Sequence, residues 1–128
     1  MEARGCEMEE IKVGEYVRTK AGFIRKIDKI ENCPICKEKE YINKEIIRGL
    51  HFQNTYHKKD ITKHSFNIID LIEVGDYVNG VEVIHFQDDI FNSYYELANH
   101  FLISRKKPED IKTILTKEQY KANAYSLE

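Results

Sequence analysis

The chemistry in this sequence starts at Cys33-Pro34-Ile35-Cys36. A C-P-x-C turn aims two thiolates at one point, which is half of a tetrahedral zinc site. No cysteine follows it, so the other donors would be His51 and His57, in the pattern C-x2-C-x14-H-x5-H. That spacing lies near, but outside, the usual one for two-Cys, two-His sites. The alternative is a turn whose thiols pack as small apolar groups. No cofactor is expected on this basis, with Zn the one ion the pattern admits.

A second cluster combines Tyr56, Lys58, Lys59 and Lys63 with His51, His57, His64 and Phe52. Lysines on phosphates and aromatics stacked on bases would make it a nucleic-acid patch. With Asp60 inside the run, it otherwise reads as a solvated loop. Asp88-Asp89 and Glu9-Glu10 read as turn and leader acids rather than metal ligands, and His85 and His100 are placed in strands without an obvious acidic partner nearby in sequence. There is no G-x-S-x-G elbow, P-loop, H-E-x-x-H or dinucleotide fingerprint, so catalysis is not expected and no catalytic residue is assigned.

The elements that must position these groups are written in an internal repeat. Ile11–Val17 reads IKVGEYV and Ile72–Val78 reads IEVGDYV. Each copy sets two apolar residues at strand spacing, then Gly, an acid and Tyr-Val. Gly14 and Gly75 suit a tight reversal at positive φ, the acid can accept backbone amides inside it, and Tyr-Val starts a strand. Asn79-Gly80, ahead of the apolar run Val81–Phe86, is a strong hairpin signal. A strand, a Gly-acid turn and a hairpin are the opening elements of an SH3-like small barrel. Over Tyr41–Phe52 the spacing does not separate a strand pair from a short helix. Tyr94–Asn99 and Phe101–Ser104 read as strands, and Ile111–Leu115 as a last one. Thr116 with Gln119 is a capping-box signature that opens a helix to about Ala122, from which Tyr125 and Leu127 would pack back on the sheet.

Composition bounds the rest. The chain has 128 residues, 41% apolar, with a formal net charge of −2, so phosphate binding has no electrostatic mandate. Its longest uncharged stretch is the nine residues Gly49–His57, too short for a membrane helix. Three cysteines and an acidic leader, MEARGCEMEE, argue against a signal peptide and a disulfide framework. A cytoplasmic protein is expected. Seventeen Ile against six Leu, and 15 Lys against five Arg, carry the mark of an AT-rich genome.

The stretch His64–Gly80, HSFNIIDLIEVGDYVNG, resembles the central motif of a group of small, largely uncharacterised proteins of low-GC Gram-positive bacteria, their prophages and their phages. Ile111–Tyr120, IKTILTKEQY, resembles the closing motif of that group and Val13–Val17 its opening. Together these cover about a third of the chain, and residues 31–63 and 86–105 do not match. The resemblance brings no activity with it. It implies a mobile-element setting, in which small accessory proteins bind and disable host machinery such as CRISPR effectors. The C-P-x-C turn also resembles the active turn of glutaredoxin-like proteins, but that chemistry needs a βαβ frame and the flanking residues pattern as strands.

The expectation is a mainly β (α+β) protein of duplicated SH3-like units with a short C-terminal helix. Residues 1–10 form a leader, 11–30 the first unit, 31–63 a variable insert and 64–128 the second unit, in one compact domain. It is expected to bind a host protein or nucleoprotein complex as a stoichiometric inhibitor, without a membrane. Tyr56, Lys58, Lys59, Lys63, Asp88 and Asp89 are the expected contact residues. The rivals are an SH3-like nucleic-acid module and a zinc-stabilised structural domain on Cys33, Cys36, His51 and His57.

Overall fold

In the computed structural model the described residues are 10–88, 93–104 and 106–123, without the side chains of Asp88 and Ser93. Cys6, Asp89, Tyr125 and Leu127 lie outside them. The chain is mainly β. Its strands are β1 (Tyr16–Thr19), β2 (Ile24–Lys26), β3 (Lys29–Asn32), β4 (Lys39–Ile47), β5 (Leu50–His57), β6 (Ile61–Ser65), β7 (Tyr77–Val78), β8 (Val81–Asp88), β9 (Ser93–Leu97), β10 (Leu102–Ser104) and β11 (Ile114–Leu115). Single 3-10 turns occupy Lys58–Asp60, Ile68–Leu71 and Pro108–Asp110, and one α-helix, α1, spans Lys117–Asn123. Three sheets result, with orders β2-β1-β6, β3-β4-β5 and β10-β9-β8-β7-β11.

The repeated motif makes the same turn twice. The Lys12 amide donates to Glu15 Oε2 at 2.7 Å and the Glu73 amide to Asp76 Oδ2 at 2.8 Å. Gly14 N–H reaches the Ile27 carbonyl and Gly75 N–H the Val83 carbonyl, at 2.8 and 2.9 Å. Ile27 N–H returns to Glu15 and Val83 N–H to Asp76, both at 2.8 Å. Gly14 and Gly75 have φ of 97° and 102°, a region where a side chain is strained. From each turn the chain runs into a strand paired with a late strand: β1 with β6 (Val17 opposite His64) and β7 with β11 (Val78 opposite Ile114). Each late strand follows a 3-10 turn, at Lys58–Asp60 and at Pro108–Asp110.

Equivalent positions fill two cores. Ile11, Val17 and Ile27 pack with Tyr41 and Ile61, flanked by Ile30 and Tyr56. Ile72, Val78 and Val83 pack with Ile69, Tyr95, Leu97 and Ile103. Fully burying such an aliphatic side chain contributes about 1.5–3 kcal/mol, so each unit has a hydrophobic reason to exist. Residues 31–63, set apart by composition as an insert, carry β3 to β5 and give Tyr41, Ile42 and Ile61 to the buried set. Within these strands burial is concentrated at Tyr41, Ile42 and Asn43 of β4, while most of β3 and β5 faces solvent.

The ladders do not close either unit into a barrel among the described residues. In the first unit the chain changes partner at Ile27–Asp28: Ile27 N–H bonds to Glu15, and Asp28 N–H to Ile42 of β4 at 2.8 Å. That switch divides the strands into two sheets. In the second unit a register shift between Val83 and His85 absorbs the same change, so β8 serves both β7 and β9 within one open sheet.

Several local expectations are met. Tyr41–Phe52, which spacing leaves open between a strand pair and a helix, lies within a strand pair, reversed at Arg48-Gly49 with φ of 53° and 81°. Asn79-Gly80 makes the β7–β8 hairpin with nearly the same angles, 53° and 83°. Thr116 accepts the Gln119 amide at 3.3 Å and so caps α1. The capping box is not completed, because the Gln119 side chain donates to the Ala21 carbonyl at 2.6 Å. His100, placed in a strand from sequence, sits in the β9–β10 turn at φ 70°, with Glu96 at 3.0 Å.

The two units are joined through Arg18, 1% exposed although it lies on β1. Its guanidinium grips Asp76 in bidentate fashion at 2.6 and 2.9 Å, donates to the Leu71 carbonyl at 2.8 Å and reaches Glu118 at 2.6 Å. Burial alone would lower its pKa, but hydrogen bonds to Asp76 and Glu118 outweigh that and raise it. Glu73 adds a further layer, 3.8 Å from Arg18, 3.1 Å from Lys63 and 2.9 Å from Lys117. Burial would raise its carboxyl, yet Lys117, Lys63 and Arg18 carry it down to about 2. Beside this network α1 docks on the β1–β2 turn, where Thr116 Oγ1 donates to the Gly22 carbonyl at 2.6 Å.

Two outcomes follow from these contacts. Gly75→Ala places a Cβ 3.4 Å from Lys117 Cδ at φ 102° and should destabilise the fold by about 1–3 kcal/mol in urea unfolding; no loss would contradict the strained-turn reading. The depressed carboxyl of Glu73 contributes stability that is full above its ordinary value of 4.5 and lost as pH falls towards 2. Urea midpoints between pH 5 and pH 3 should therefore fall less steeply in Glu73→Gln than in the native chain.

Candidate metal centre and apolar arm

Cys33 and Cys36 lie in the β3–β4 connection, which is shaped as a knuckle. The Cys33 amide donates to the Glu38 carbonyl at 2.7 Å and the Lys37 amide to the Cys33 carbonyl at 2.9 Å. Lys37 takes the left-handed conformation at φ 63°, and the Cys36 amide points at Cys33 Sγ at 3.5 Å. This backbone turns both sulfurs to one side. His57, the last residue of β5, faces them, with Nε2 3.7 Å from Cys36 Sγ. The two sulfurs and a ring nitrogen of His57 lie within 4.8 Å of one another. Glu40, cross-strand from His57, brings Oε2 to 3.7 Å from Nε2.

The thiols are unequal. The Cys36 amide, His57 and the Ile35 amide hold the Cys33 thiol below its ordinary value. At Cys36 the Glu38 amide acts in the same direction, but Cys33 beside it and desolvation push the thiol up. Both cysteines are free. Of the two histidines paired with them from spacing, the structure brings in His57 alone. His51 lies opposite Ile46, six residues along β5 towards the far end of the hairpin. The spacing pattern could not separate the two, because only the register of β5 on β4 decides which ring faces the knuckle.

The β4–β5 hairpin is the second feature. β3 pairs with β4 only over Lys39–Ile42, so beyond Ile42 the sheet is two strands wide. Directly opposed pairs share a face, and alternate pairs return to it. One face therefore runs from Tyr41–Tyr56 in the core through Asn43–Asn54 to Glu45–Phe52 and Ile47–Leu50 at the tip. It begins buried and ends in solvent: Phe52 is 46%, Ile47 48% and Leu50 63% exposed. Ile46, on the opposite face, is 64% exposed. Sequence reasoning missed this arm, although the uncharged stretch Gly49–His57 that builds β5 was its signal.

The other expected contact residues are dispersed. Lys58 and Lys59 sit on the 3-10 turn after β5, while Lys63 lies on β6 with its ammonium committed to Glu73 at 3.1 Å. Tyr56 is half-buried against the first core. Asp88 ends β8, and its side chain, like Asp89, is outside the described set. An open groove of about 920 Å³ lies between the units, walled by Tyr16, Phe66, Ile68, Pro108 and Ile111. Ser65 on its wall donates its hydroxyl to Asp70 at 2.6 Å.

No protein-family model, curated protein or solved structure matches the chain.

Proposed function

We propose that the chain is a stoichiometric binding protein that captures a protein partner with the tip of the β4–β5 arm. The observation that carries this is the apolar cluster of Phe52, Ile47 and Leu50, separated from the core by the Asn43–Asn54 pair and left in water at the end of a two-stranded arm. Apolar side chains clustered in this way mark interaction sites, and a hairpin extending beyond its sheet gains little stability from them in isolation. Among the described residues β5 is also an edge strand, whose outer ladder edge could take a partner segment. The mobile-element resemblance extends the reading to a host protein or nucleoprotein complex, with inhibition of a host defence effector as its specific form. A partner met through an apolar tip gives a salt-tolerant complex, unlike one held by phosphate contacts.

The test is affinity capture by the full chain from Gram-positive lysate with and without nuclease, run beside the variant Ile47→Lys/Leu50→Lys. Both substitutions are at exposed positions and should shift stability by no more than about 0.5 kcal/mol each. A nuclease-resistant partner at fixed stoichiometry that the variant loses is the expected result. Equal capture by the variant, or recovery of nuclease-sensitive mixtures alone, would refute the reading.

A further inference from the structure

We infer that the root of the β4–β5 arm is a zinc site, with Cys33, Cys36 and His57 as ligands and Glu40 supplying the fourth donor. The inference is independent of the proposed partner binding. Its first support is distance. Bonds of about 2.3 Å to sulfur and 2.0–2.1 Å to nitrogen at a tetrahedral centre place the S and N donors about 3.6 Å apart. Cys36 Sγ and His57 Nε2 are 3.7 Å apart, close to that separation. The second support is backbone pre-organisation. The left-handed Lys37 and the Cys36 amide aimed at Cys33 Sγ hold the knuckle in the shape that presents two sulfurs to one cation, so binding requires little rearrangement.

The third support is the donor set. Two thiolates and an imidazole favour Zn2+ over Mg2+ or Ca2+, which take oxygen ligands. Glu40 Oε2, 3.7 Å from His57 Nε2 and cross-strand from it, lies outside the Cys33–Cys36–His57 cluster and would swing towards the sulfurs to complete the four. Binding releases the two thiol protons and ties together the end of β3, the start of β4 and the end of β5. The place of the ion is therefore structural: it clamps the three strand ends from which the arm projects.

The test uses the full chain, purified metal-free under reducing conditions, with Co2+ as the spectroscopic probe and Zn2+ as competitor. One Co2+ per chain should give thiolate-to-cobalt charge-transfer absorption with the intense visible bands of tetrahedral geometry, and Zn2+ should displace it. C6S and H51Q should keep that spectrum. C33S, C36S and H57Q should lose it and weaken Zn2+ binding by more than the about 10–100-fold that loss of a residue supporting a ligand costs. E40Q should retain the thiolate bands but bind more weakly. A readout free of spectroscopy guards against misfolded variants: Zn2+ should raise the urea midpoint of the native chain and leave that of H57Q, whose ring is half-buried at the surface, unchanged. Retention of the cobalt spectrum in H57Q, its loss in H51Q or C6S, or a Cys33–Cys36 disulfide that forms in air with Zn2+ present would overturn the assignment.

Discussion

A cation buried between two similar halves sets the terms for this protein. Arg18 leaves β1 of the first unit and is enclosed by groups from the second: both Asp76 oxygens, the Leu71 carbonyl and Glu118. Removing a guanidinium from water costs several kcal/mol, offset here because its donors meet charged or carbonyl acceptors at short range. Such a pair is weak evidence for net stability, since well-packed apolar residues could do as well. Its stronger consequence is registry. Only one placement of the second unit's Gly-acid turn against β1 satisfies both charges, and α1 is then brought onto the β1–β2 turn.

The duplicated motif shows how one local solution serves two ends. Glu15 and Asp76 hold the same position in the same turn, and each accepts the amide three residues before it. Glu15 places its second oxygen on His64 of β6, the strand paired with β1, at 2.7 Å. Asp76, one methylene shorter, spends its oxygens on Arg18 and on the Lys117 amide at 2.9 Å. The turn is thus a local device in one copy and an inter-unit joint in the other. Once the joint is made, both cores are covered, and the β4–β5 arm is the element left projecting.

What could be read from sequence was local. The repeat, the Asn79-Gly80 hairpin, the strands β9 to β11 and the Thr116 cap depend on residues within a few positions of each other, where φ preference and short hydrogen bonds decide. The partner of Asp76 could not be read, because Arg18 is 58 residues away and charged residues are by default placed on the surface. His57 could not be chosen over His51 for a related reason: strand register, and not spacing, brings a ring to the cysteines. The open sheets differ from the expected small barrels at one step, Ile27–Asp28, where a change of backbone partner leaves no signature in residue type.

The proposed metal site and the proposed partner-binding tip occupy opposite ends of the same hairpin. Both lie on strands joined to the first unit, whose contact with the second depends on the Arg18–Asp76 pair. The most direct test of that dependence is a double-mutant cycle on Arg18→Met and Asp76→Asn, measured by urea unfolding at neutral pH. Each single change leaves a buried charge without its main ion-pair partner and should cost about 3–5 kcal/mol. The pair together should cost clearly less than the sum, with a coupling of about 2 kcal/mol or more. Losses that add to within about 0.5 kcal/mol would contradict the account, because Arg18 and Asp76 would then act independently and the joint between the units would lie elsewhere.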